Sequence, residues 1–347
     1  MRAVIYEGPG QVMIGEVDEP ELFSPSDALV KIELAAICGS DLHVYHGAVP
    51  GVLPGMSLGH EFVGRVLETG PEVKRVKPGD RVVGSFHTAC GECAACRKTR
   101  YFACTNGMVY GYGIAFGALG GAQAEKVRVP QADLSLRKIP DALPAEEAIL
   151  AGDILSTAYG GVRPWLEPGM SVAVVGAGPV GLMAVEVART LGAGSIYAVD
   201  FDAHRLGIAE KRGAIPLNPK ERDPVSHLYR ETDGFGADIV VEAVGGEGKA
   251  LETAFKLAGP GGVVASLGVP TVETFTYPWL EAFTRGVRFH GSLANVPRWM
   301  DEVLALQQAG RISGSWIFSH RLTLDEAPHG YEMFDKRGAV KVALTPA

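Results

Sequence analysis

Few folds are compatible with residues 171–200, which read SVAVVGAGPVGLMAVEVARTLGAGSIYAVD. An all-apolar run at 172–175 leads through a glycine-rich turn into a helical pattern, and a second apolar run follows. Residues 237–268 repeat this order. Apolar strands that alternate with helices are typical of a parallel sheet buried on both faces. The sequence therefore predicts an α/β domain with a doubly wound parallel sheet.

The turn between the first strand and its helix carries the pattern G-x-G-x-x-G, formed by Gly176, Ala177, Gly178, Pro179, Val180 and Gly181. Glycines at these positions permit a tight turn, so that a pyrophosphate can approach the helix N-terminus. Proline suits the first helical turn. A glycine turn that serves only strand–helix packing is the alternative. We predict a dinucleotide site that includes Gly176, Gly178, Pro179, Val180 and Gly181.

The charges that follow this motif favour NAD over NADP. Asp200 ends the next apolar run, nineteen residues after Gly181, where a carboxylate can bind the ribose hydroxyls. Asp202 lies two residues further on, and Arg205 is the nearest cation. Two negative charges would repel a 2′-phosphate. Val244 and Gly268 are also predicted to contact the cofactor.

The first 150 residues have a different sequence pattern, without alternating strands and helices. They contain short β-type runs such as DALVKIELAAI and FVGRVLETG, separated by turns rich in Gly and Pro. The tail after residue 295 has a helical segment and ends in the strand-like KVALT. We expect a β-domain, formed by residues 1–152 and 295–347, that is interrupted by the α/β domain at 153–294.

Four of the five cysteines lie within fifteen residues, with the spacing Cys90-x2-Cys93-x2-Cys96-x7-Cys104. Four thiolates in one loop can form a closed tetrahedral site, which suits structural zinc. An iron–sulfur cluster is the alternative, but such runs usually carry Pro after the last Cys, whereas Thr105 follows Cys104 here. Free thiols or a disulfide pair are further alternatives. We predict a structural zinc lobe at about 88–107.

The fifth cysteine, Cys38, stands alone after an apolar strand. His60 and Glu61 begin a later strand, and Asp153 lies at the predicted domain boundary. One thiolate, one imidazole and one carboxylate form a mixed set, as in a catalytic zinc site that keeps a position open. Taken singly, Cys38 could be a core residue, His60 a buried histidine, and Asp153 a helix N-cap.

The net charge and the lengths of the apolar runs limit the kinds of partner that the protein can bind. The net charge of −8 disfavours nucleic acid and anionic membranes, which require a basic surface. No apolar run is long enough to span a bilayer. The first residues lack the plan of a signal peptide, and a tight cysteine cluster fits a reducing compartment. We therefore expect a cytoplasmic protein that binds neither nucleic acid nor membranes.

Several motifs occur here in the order found in one family: CGSDLHVYHG, GHEFVGRV, the four-cysteine lobe and the glycine turn. On these motifs the chain resembles the zinc-dependent medium-chain alcohol dehydrogenases, nearly end to end. GGAQAEKVRVP and AGDILSTAYGGV are most similar to the branch with secondary alcohol dehydrogenases and formaldehyde-dehydrogenase-like proteins. The resemblance implies a GroES-like β-domain, discontinuous around a Rossmann domain.

The resemblance also implies roles for individual residues. Cys38, His60 and Asp153 would bind the catalytic zinc, and the adjacent Glu61 would be able to coordinate it in some states. Ser40 and His43 match the family's proton path, by way of the ribose hydroxyls. Arg205 and Lys341 lie at positions similar to those that contact the cofactor. The implied protein binds two zinc ions per chain and NAD, and assembles as a homodimer or homotetramer.

The function implied is hydride transfer between an alcohol, primary or secondary, and NAD+, with an aldehyde or ketone as the product. Polyol dehydrogenase, threonine dehydrogenase, and a formaldehyde dehydrogenase or dismutase are alternatives within the class. A non-catalytic NAD-binding scaffold or sensor, and a zinc hydrolase that uses the same three ligands, are alternatives outside it. Trp279, Tyr110 and Phe116 are candidates for substrate contacts, with a place in the apolar core as the alternative for each.

Overall fold

A computed structural model of the chain describes residues 1–346. The contacts divide the chain into two units: unit 1 comprises Met1–Ser156 and Asn295–Ala347, and unit 2 comprises Thr157–Ala294. The division falls four residues after the predicted boundary at 152. Asp153 therefore belongs to unit 1, where its carboxylate contacts Cys38 and His60.

The N-terminal part of unit 1 consists of short strands and three helices. In chain order they are β1 (Arg2–Gly8), β2 (Gln11–Glu16), β3 (Ala28–Ile37), α1 (Asp41–Tyr45), β4 (Glu61–Thr69), β5 (Arg81–Gly84), β6 (Lys126–Val129), α2 (Ala132–Ser135), β7 (Leu136–Lys138) and α3 (Ala145–Ala151). β1 and β2 form an antiparallel hairpin. β3 is the longest strand of the unit, and it pairs with both β4 and β6.

Unit 2 alternates strands with helices. In chain order the elements are α4 (Ile154–Val162), which begins in unit 1, β8 (Ser171–Val175), α5 (Pro179–Thr190), β9 (Ser195–Val199), α6 (Ala203–Lys211), β10 (Ile215–Leu217), α7 (Pro224–Glu231), β11 (Ala237–Glu242), α8 (Lys249–Leu257), β12 (Ala258–Ser266), α9 (Trp279–Arg285) and β13 (Arg288–Gly291). All strand pairs in this unit are parallel.

The six strands of unit 2 lie in the order β10-β9-β8-β11-β12-β13. The chain thus runs outward from β8 in one direction and then returns to build the other half, which makes the sheet doubly wound. Its strand order reverses between β8 and β11, and ligands bind at this point in open parallel sheets. The predicted α/β class and doubly wound sheet are confirmed.

The C-terminal segment returns to unit 1. It contributes α10 (Val296–Gln308), β14 (Phe318–Thr323), α11 (Ala327–Asp335) and β15 (Lys341–Thr345). β15 pairs antiparallel with β3 and parallel with β14, so the last strand completes a sheet that begins near residue 28. The resulting order is β14-β15-β3-β4-β5-β7, with β6 paired to β3.

Each unit has its own apolar core. In unit 1 it includes Phe62, Tyr110 and Tyr331, all without exposed surface. In unit 2 it forms around the apolar residues of β8, β11 and β12. Among residues 1–346, no helix combines the length and apolar character needed to cross a bilayer.

Candidate active site

Cys38 and His60 are brought together by two neighbouring antiparallel strands. Cys38 follows the end of β3, and His60 precedes the start of β4. Ala36 of β3 pairs with Glu61 of β4, so continuing the antiparallel register brings the residues just beyond these strand ends to one edge of the sheet. The two predicted ligands, 22 residues apart in sequence, therefore meet because of strand pairing.

Asp153 arrives from the turn between α3 and α4. Gly152 approaches β5 so closely that a Cβ at this position would lie 2.1 Å from the carbonyl oxygen of Gly84. The N–H of Phe86 donates to the carbonyl oxygen of Gly152 at 2.9 Å. This contact of backbone with backbone fixes the turn, and it places the Asp153 carboxylate beside Cys38 and His60.

The three side chains fit a tetrahedral zinc ion. Asp153 Oδ2 lies 3.4 Å from Cys38 Sγ and 3.2 Å from His60 Nε2. A tetrahedron with metal–ligand bonds of ~2.1 Å has edges of ~3.4 Å, so these separations match two ligands on one ion. All three side chains are buried, and all three donor atoms lie within 4.8 Å of one another. A sulfur, a nitrogen and an oxygen donor also form a set that zinc accepts.

Asp41 contacts two of the three predicted zinc ligands, His60 and Cys38. Its Oδ1 lies 3.0 Å from His60 Nδ1, which leaves Nε2 facing Cys38 and Asp153. Its Oδ2 accepts the backbone N–H of Cys38 at 2.9 Å. A carboxylate on the far nitrogen of a ligating histidine fixes the orientation of the ring and makes the other nitrogen a better donor to metal.

The pKa values reflect this crowding of charges. Burial raises the pKa of the Cys38 thiol, and the neighbouring Asp153 carboxylate adds to the rise. Burial alone would lower the pKa of His60, but the charge of Asp41 and hydrogen bonds to Asp153 and Asp41 raise it well above its ordinary value. Two acids and a thiol around one imidazole favour a cation at their centre, and a divalent metal supplies that charge.

Glu61 stands outside the three converging ligands. It forms a buried ion pair with Lys341, and neither side chain has more than 1% of its surface exposed. Burial raises the pKa of Glu61 to about 7, although Lys341 opposes the rise. Its other oxygen, Oε1, has no hydrogen-bond partner within residues 1–346. Lys341 is also predicted to contact the cofactor, and in the structure its ammonium group lies against Glu61 and is closed off from solvent.

Ser40 lies at the ligand set, whereas His43 lies further along α1. The Ser40 hydroxyl is 3.2 Å from His60 Nε2. Burial lowers the pKa of His43, and its imidazole is half-buried. Within residues 1–346 no hydrogen bond joins Ser40 to the His43 ring, so the predicted proton path needs a group between them.

Aromatic rings surround His60. Phe86 and Tyr112 present their edges at ring-centroid distances of 6.0 and 6.1 Å, and Phe116 packs on Tyr112 at 5.3 Å. Tyr112 donates its hydroxyl hydrogen to the carbonyl oxygen of Ser40 at 2.8 Å. Tyr110, a predicted substrate contact, is instead a core residue that packs on Phe62.

The four clustered cysteines form a second convergent group in unit 1. Sulfur–sulfur distances are 3.5 Å for Cys90–Cys104 and 4.0 Å for both Cys90–Cys96 and Cys93–Cys104. A zinc–sulfur bond of ~2.3 Å gives a tetrahedral edge of ~3.8 Å, which these distances bracket. All four are free thiols in the structure.

Backbone N–H groups point at these sulfurs, as expected for thiolates. The N–H groups of Cys90 and Asn106 lie 3.2 and 3.4 Å from Cys104 Sγ. Backbone N–H groups, that of Cys96 foremost, hold the pKa of Cys93 at about 5. The residues therefore fit a closed four-sulfur zinc site without an open position.

In unit 2 the glycine turn follows β8 at the point where the strand order reverses. Gly176 has a φ of 95°, and a Cβ at Gly181 would lie 1.8 Å from the carbonyl oxygen of Gly176. A side chain at Gly181 would therefore clash with the backbone of Gly176. α5 begins at Pro179, so its free N–H groups face this turn, where they can bind a pyrophosphate.

The remaining predicted cofactor residues cluster at the same edge of the sheet. Asp200 follows β9, and its carboxylate accepts the N–H groups of Ala177 at 2.7 Å and Asp202 at 2.9 Å. Val244 follows β11, and a Cβ added to Gly176 would lie 2.5 Å from its Cγ2. Gly268 follows β12 and packs against Gly245.

Arg205 lies beside the turn on α6. Its Nε is 3.9 Å from Asp202 Oδ2, and a Cβ added to Gly178 would lie 3.8 Å from its guanidinium. Asp202 caps α6 by accepting the N–H groups of His204 and Arg205. The positive charge of Arg205 is therefore partly compensated by Asp202.

Several residues at the site were not identified from the sequence, namely Asp41, Phe86, Tyr112 and Gln123. Asp41 could have been identified from the sequence, because it is an acidic residue only three positions after the predicted ligand Cys38. A carboxylate buried so close to a ligand needs hydrogen-bond donors, and the ligands themselves can supply them. Phe86 and Tyr112 could not be identified in this way, since an aromatic residue in a β-domain is expected in its core.

Comparison with known proteins agrees with this architecture. Residues 24–141 match the family model of the alcohol dehydrogenase GroES-like domain, and residues 179–309 match that of zinc-binding dehydrogenases. The first match covers most of the β-domain, and the second most of the parallel sheet. The predicted GroES-like and Rossmann domains are thus confirmed.

Individual proteins are similar over nearly the whole chain. A probable zinc-binding alcohol dehydrogenase of Mycobacterium tuberculosis is 38% identical over 95% of this chain and 84% of its own length. The structure of alcohol dehydrogenase TADH from Thermus sp. ATN1 is 50% identical, covers 100% of both chains and has a TM-score of 0.97. A zinc-binding dehydrogenase of Sinorhizobium meliloti, solved with NADP, is 31% identical over 99% of both chains, with a TM-score of 0.85. This chain therefore belongs to the zinc-dependent medium-chain alcohol dehydrogenase family, and it is a zinc-containing, nicotinamide-dependent oxidoreductase.

Proposed function

We propose that this protein oxidises small primary or secondary alcohols to aldehydes or ketones with NAD+, and that it catalyses the reverse reduction. The observation that carries the proposal is the convergence of Cys38, His60 and Asp153 at zinc-ligand separations. The same chain holds a dinucleotide turn at the switch point of its parallel sheet. A zinc hydrolase would leave that turn without a role, and a nucleotide-binding scaffold would have no use for a mixed three-ligand set.

The chemistry divides between the metal and the chain. Zinc held by Cys38, His60 and Asp153 would supply a Lewis acid that lowers the pKa of a substrate hydroxyl. The Ser40 hydroxyl, beside the ligand atoms, accepts the proton released by the substrate and passes its own onward. His43, the second residue of the relay, would be the final acceptor of that proton. Burial lowers its pKa, which keeps the imidazole neutral and able to accept a proton near pH 7.

The rings next to His60 support an alcohol with apolar substituents. Phe86 and Tyr112 border the imidazole, and the Tyr112 hydroxyl is already engaged with the Ser40 carbonyl oxygen. A polyol or threonine would require hydrogen-bond partners for its further hydroxyl, ammonium or carboxylate groups.

The substrate class is tested with a panel of primary alcohols, secondary alcohols, polyols, threonine and formaldehyde, followed by NADH formation. Higher kcat/KM for simple alcohols is expected. A preference for threonine or a polyol would overturn the substrate class, and dismutation of formaldehyde without added NAD would show a tightly held cofactor.

We propose NAD, rather than NADP, as the cofactor. A 2′-phosphate near the Asp200 carboxylate would meet a negative charge, with Asp202 close by. Arg205 offers the phosphate little, because its guanidinium already lies near Asp202. The wild type should show higher kcat/KM with NAD than with NADP, and Asp200→Ser should narrow the difference. Equal use of both cofactors by the wild type would contradict this assignment.

We also propose a homo-oligomer, a dimer or a tetramer, built in part on unit 2. β13 is an edge strand with unpaired backbone groups, and the neighbouring α9 exposes Trp279, Leu280 and Phe283 by 67–74%. Trp279, a predicted substrate contact, is thus on an exposed helix face. Apolar side chains this exposed mark an interaction surface. Phe283→Glu should reduce the mass measured by sedimentation, whereas Phe23→Glu, at an exposed position in unit 1, should not. A monomeric wild type would exclude the proposal.

The cytoplasmic location also stays a proposal. Its support is chemical, since a tight cluster of four thiols that can hold a metal ion is typical of proteins from a reducing compartment.

A further inference from the structure

Gln123 is a buried amide that no part of the proposed mechanism uses. Its side chain has no exposed surface, and it lies between the C-terminal helix α11 and the zinc-ligand set. An amide in an apolar environment is costly unless its donors and acceptor are satisfied. The Gln123 amide makes three hydrogen bonds, which satisfy its two donors and its acceptor.

The amide nitrogen faces the active site. Gln123 Nε2 donates to Asp41 Oδ2 at 3.1 Å and to the carbonyl oxygen of Ala36 at 3.1 Å. The same Asp41 oxygen accepts the N–H of Cys38, and the other oxygen of Asp41 holds His60. Asp41 therefore contacts two of the three ligands, and Gln123 holds Asp41.

The amide oxygen faces α11. The Tyr331 hydroxyl, which has no exposed surface, donates to Gln123 Oε1 at 2.8 Å. This contact fixes the direction of the amide. A reversed amide would place its oxygen against the Ala36 carbonyl oxygen and the Asp41 carboxylate, and its nitrogen against the tyrosine hydroxyl. Repulsion between acceptors excludes that arrangement.

The backbone next to His60 makes room for this amide. Gly59 has a φ of 86°, and a Cβ there would lie 2.3 Å from Gln123 Cγ. The amide therefore crosses directly over the residue that precedes His60. The N–H of Gln123 also donates to the carbonyl oxygen of Leu58 at 2.9 Å, which ties the two segments together.

We propose that Gln123, oriented by Tyr331, is a positioning residue that sets the mutual placement of Cys38 and His60 through Asp41. Asp41 Oδ1 lies 3.0 Å from His60 Nδ1, so the position of the Asp41 carboxylate determines how the ring is held. Loss of the Gln123 N–H leaves Asp41 Oδ2 with only the Cys38 N–H among the hydrogen bonds seen here, and the carboxylate is free to turn. This inference rests on the proposed zinc site.

The test compares Gln123→Met with Gln307→Met. Methionine keeps the length of the side chain and removes its polar atoms. Gln307 is also buried in unit 1, and its amide donates to the carbonyl oxygen of Glu147, which is remote from the ligands in the hydrogen-bond network. Both variants are purified with zinc, and metal release to a chromophoric chelator is followed together with the melting temperature. Asp153→Asn identifies the phase that belongs to the catalytic zinc.

Gln123→Met should release the catalytic zinc about ten-fold faster, the effect typical of outer contacts to metal ligands, and should leave the lobe zinc unchanged. In the same variant kcat should fall by a similar factor, while KM for NAD stays within about two-fold because unit 2 is untouched. Gln307→Met should lower the melting temperature without changing either phase. Equal catalytic-zinc release from the two variants would overturn the proposal.

Tyr331→Phe provides a second measurement should Gln123→Met not fold. It removes the hydroxyl that orients the amide and keeps all the side chains that reach the ligands. Catalytic-zinc release about three-fold faster is expected, as for the loss of one hydrogen bond, and an unchanged release rate would refute the role of Gln123. Metal release needs no turnover. A wild type that holds two zinc ions but oxidises no alcohol would refute the proposed function and leave this test intact.

Discussion

Replacing Asp153 by asparagine tests the site most directly. The substitution keeps the shape of the side chain and removes its negative charge. Asp153 Oδ2 lies 3.4 Å from Cys38 Sγ and 3.2 Å from His60 Nε2, so it is placed as a ligand and not as an outer contact. Loss of an outer contact to a metal ligand costs about 10- to 100-fold in metal affinity or activity. Loss of the carboxylate itself should therefore weaken zinc binding by at least ~100-fold, or about 2.7 kcal/mol.

The assay measures zinc per chain, kcat and NAD affinity in one preparation. The variant should retain the lobe zinc, whose four sulfur ligands are untouched, and should bind NAD normally through unit 2. Its catalytic zinc should be lost on dialysis, with kcat falling in proportion. Asp27→Asn is the matched control, because Asp27 is also a buried acid of unit 1 but pairs with Arg128. Full zinc content and unchanged kcat in Asp153→Asn would refute the ligand assignment.

Three further predictions concern charge, the glycine turn and acid stability. Lys341→Met leaves the Glu61 carboxylate buried without its cation. Chemical denaturation should therefore show a free energy of unfolding lower by about 3–5 kcal/mol, and the decrease should be smaller for Lys341→Arg. Gly181→Ala places a Cβ against the carbonyl oxygen of Gly176, so titration should show loss of NAD binding with both zinc ions retained; unaltered affinity would contradict this close backbone contact. The Lys138 ammonium and the Lys77 N–H lower the pKa of Asp80 below its ordinary value. Its stabilising contribution is therefore present above pH ~3.8 and lost as pH falls through the lower folded pKa, and Asp80→Asn should flatten this part of the stability–pH curve.

Local patterns were enough to predict the parallel sheet and the metal lobe. The strand, glycine turn and helix at 172–190 are contiguous, and so are the four cysteines at 90–104. In each case the residues that act together are close in sequence, so their spacing already limits their geometry.

The mixed ligand set could be nominated from the chain, but its geometry depends on long-range contacts. Pairing of β3 with β4 brings Cys38 to His60, and the close approach of Gly152 to Gly84 brings in Asp153. The ion pair of Lys341 with Glu61 could not be predicted from the sequence, because it depends on the pairing of β15 with β3.

The contact between Gln123 and Tyr331 could not be predicted from the sequence, because 208 residues separate the amide from the hydroxyl that orients it. A glutamine in a β-domain is usually exposed, and a tyrosine on a terminal helix has many possible partners. Residues adjacent in the chain share a local conformation that the chain itself dictates. A hydrogen bond between distant segments forms only once the tertiary structure brings those segments together. The tertiary structure alone therefore decided which polar groups contact and orient the zinc ligands.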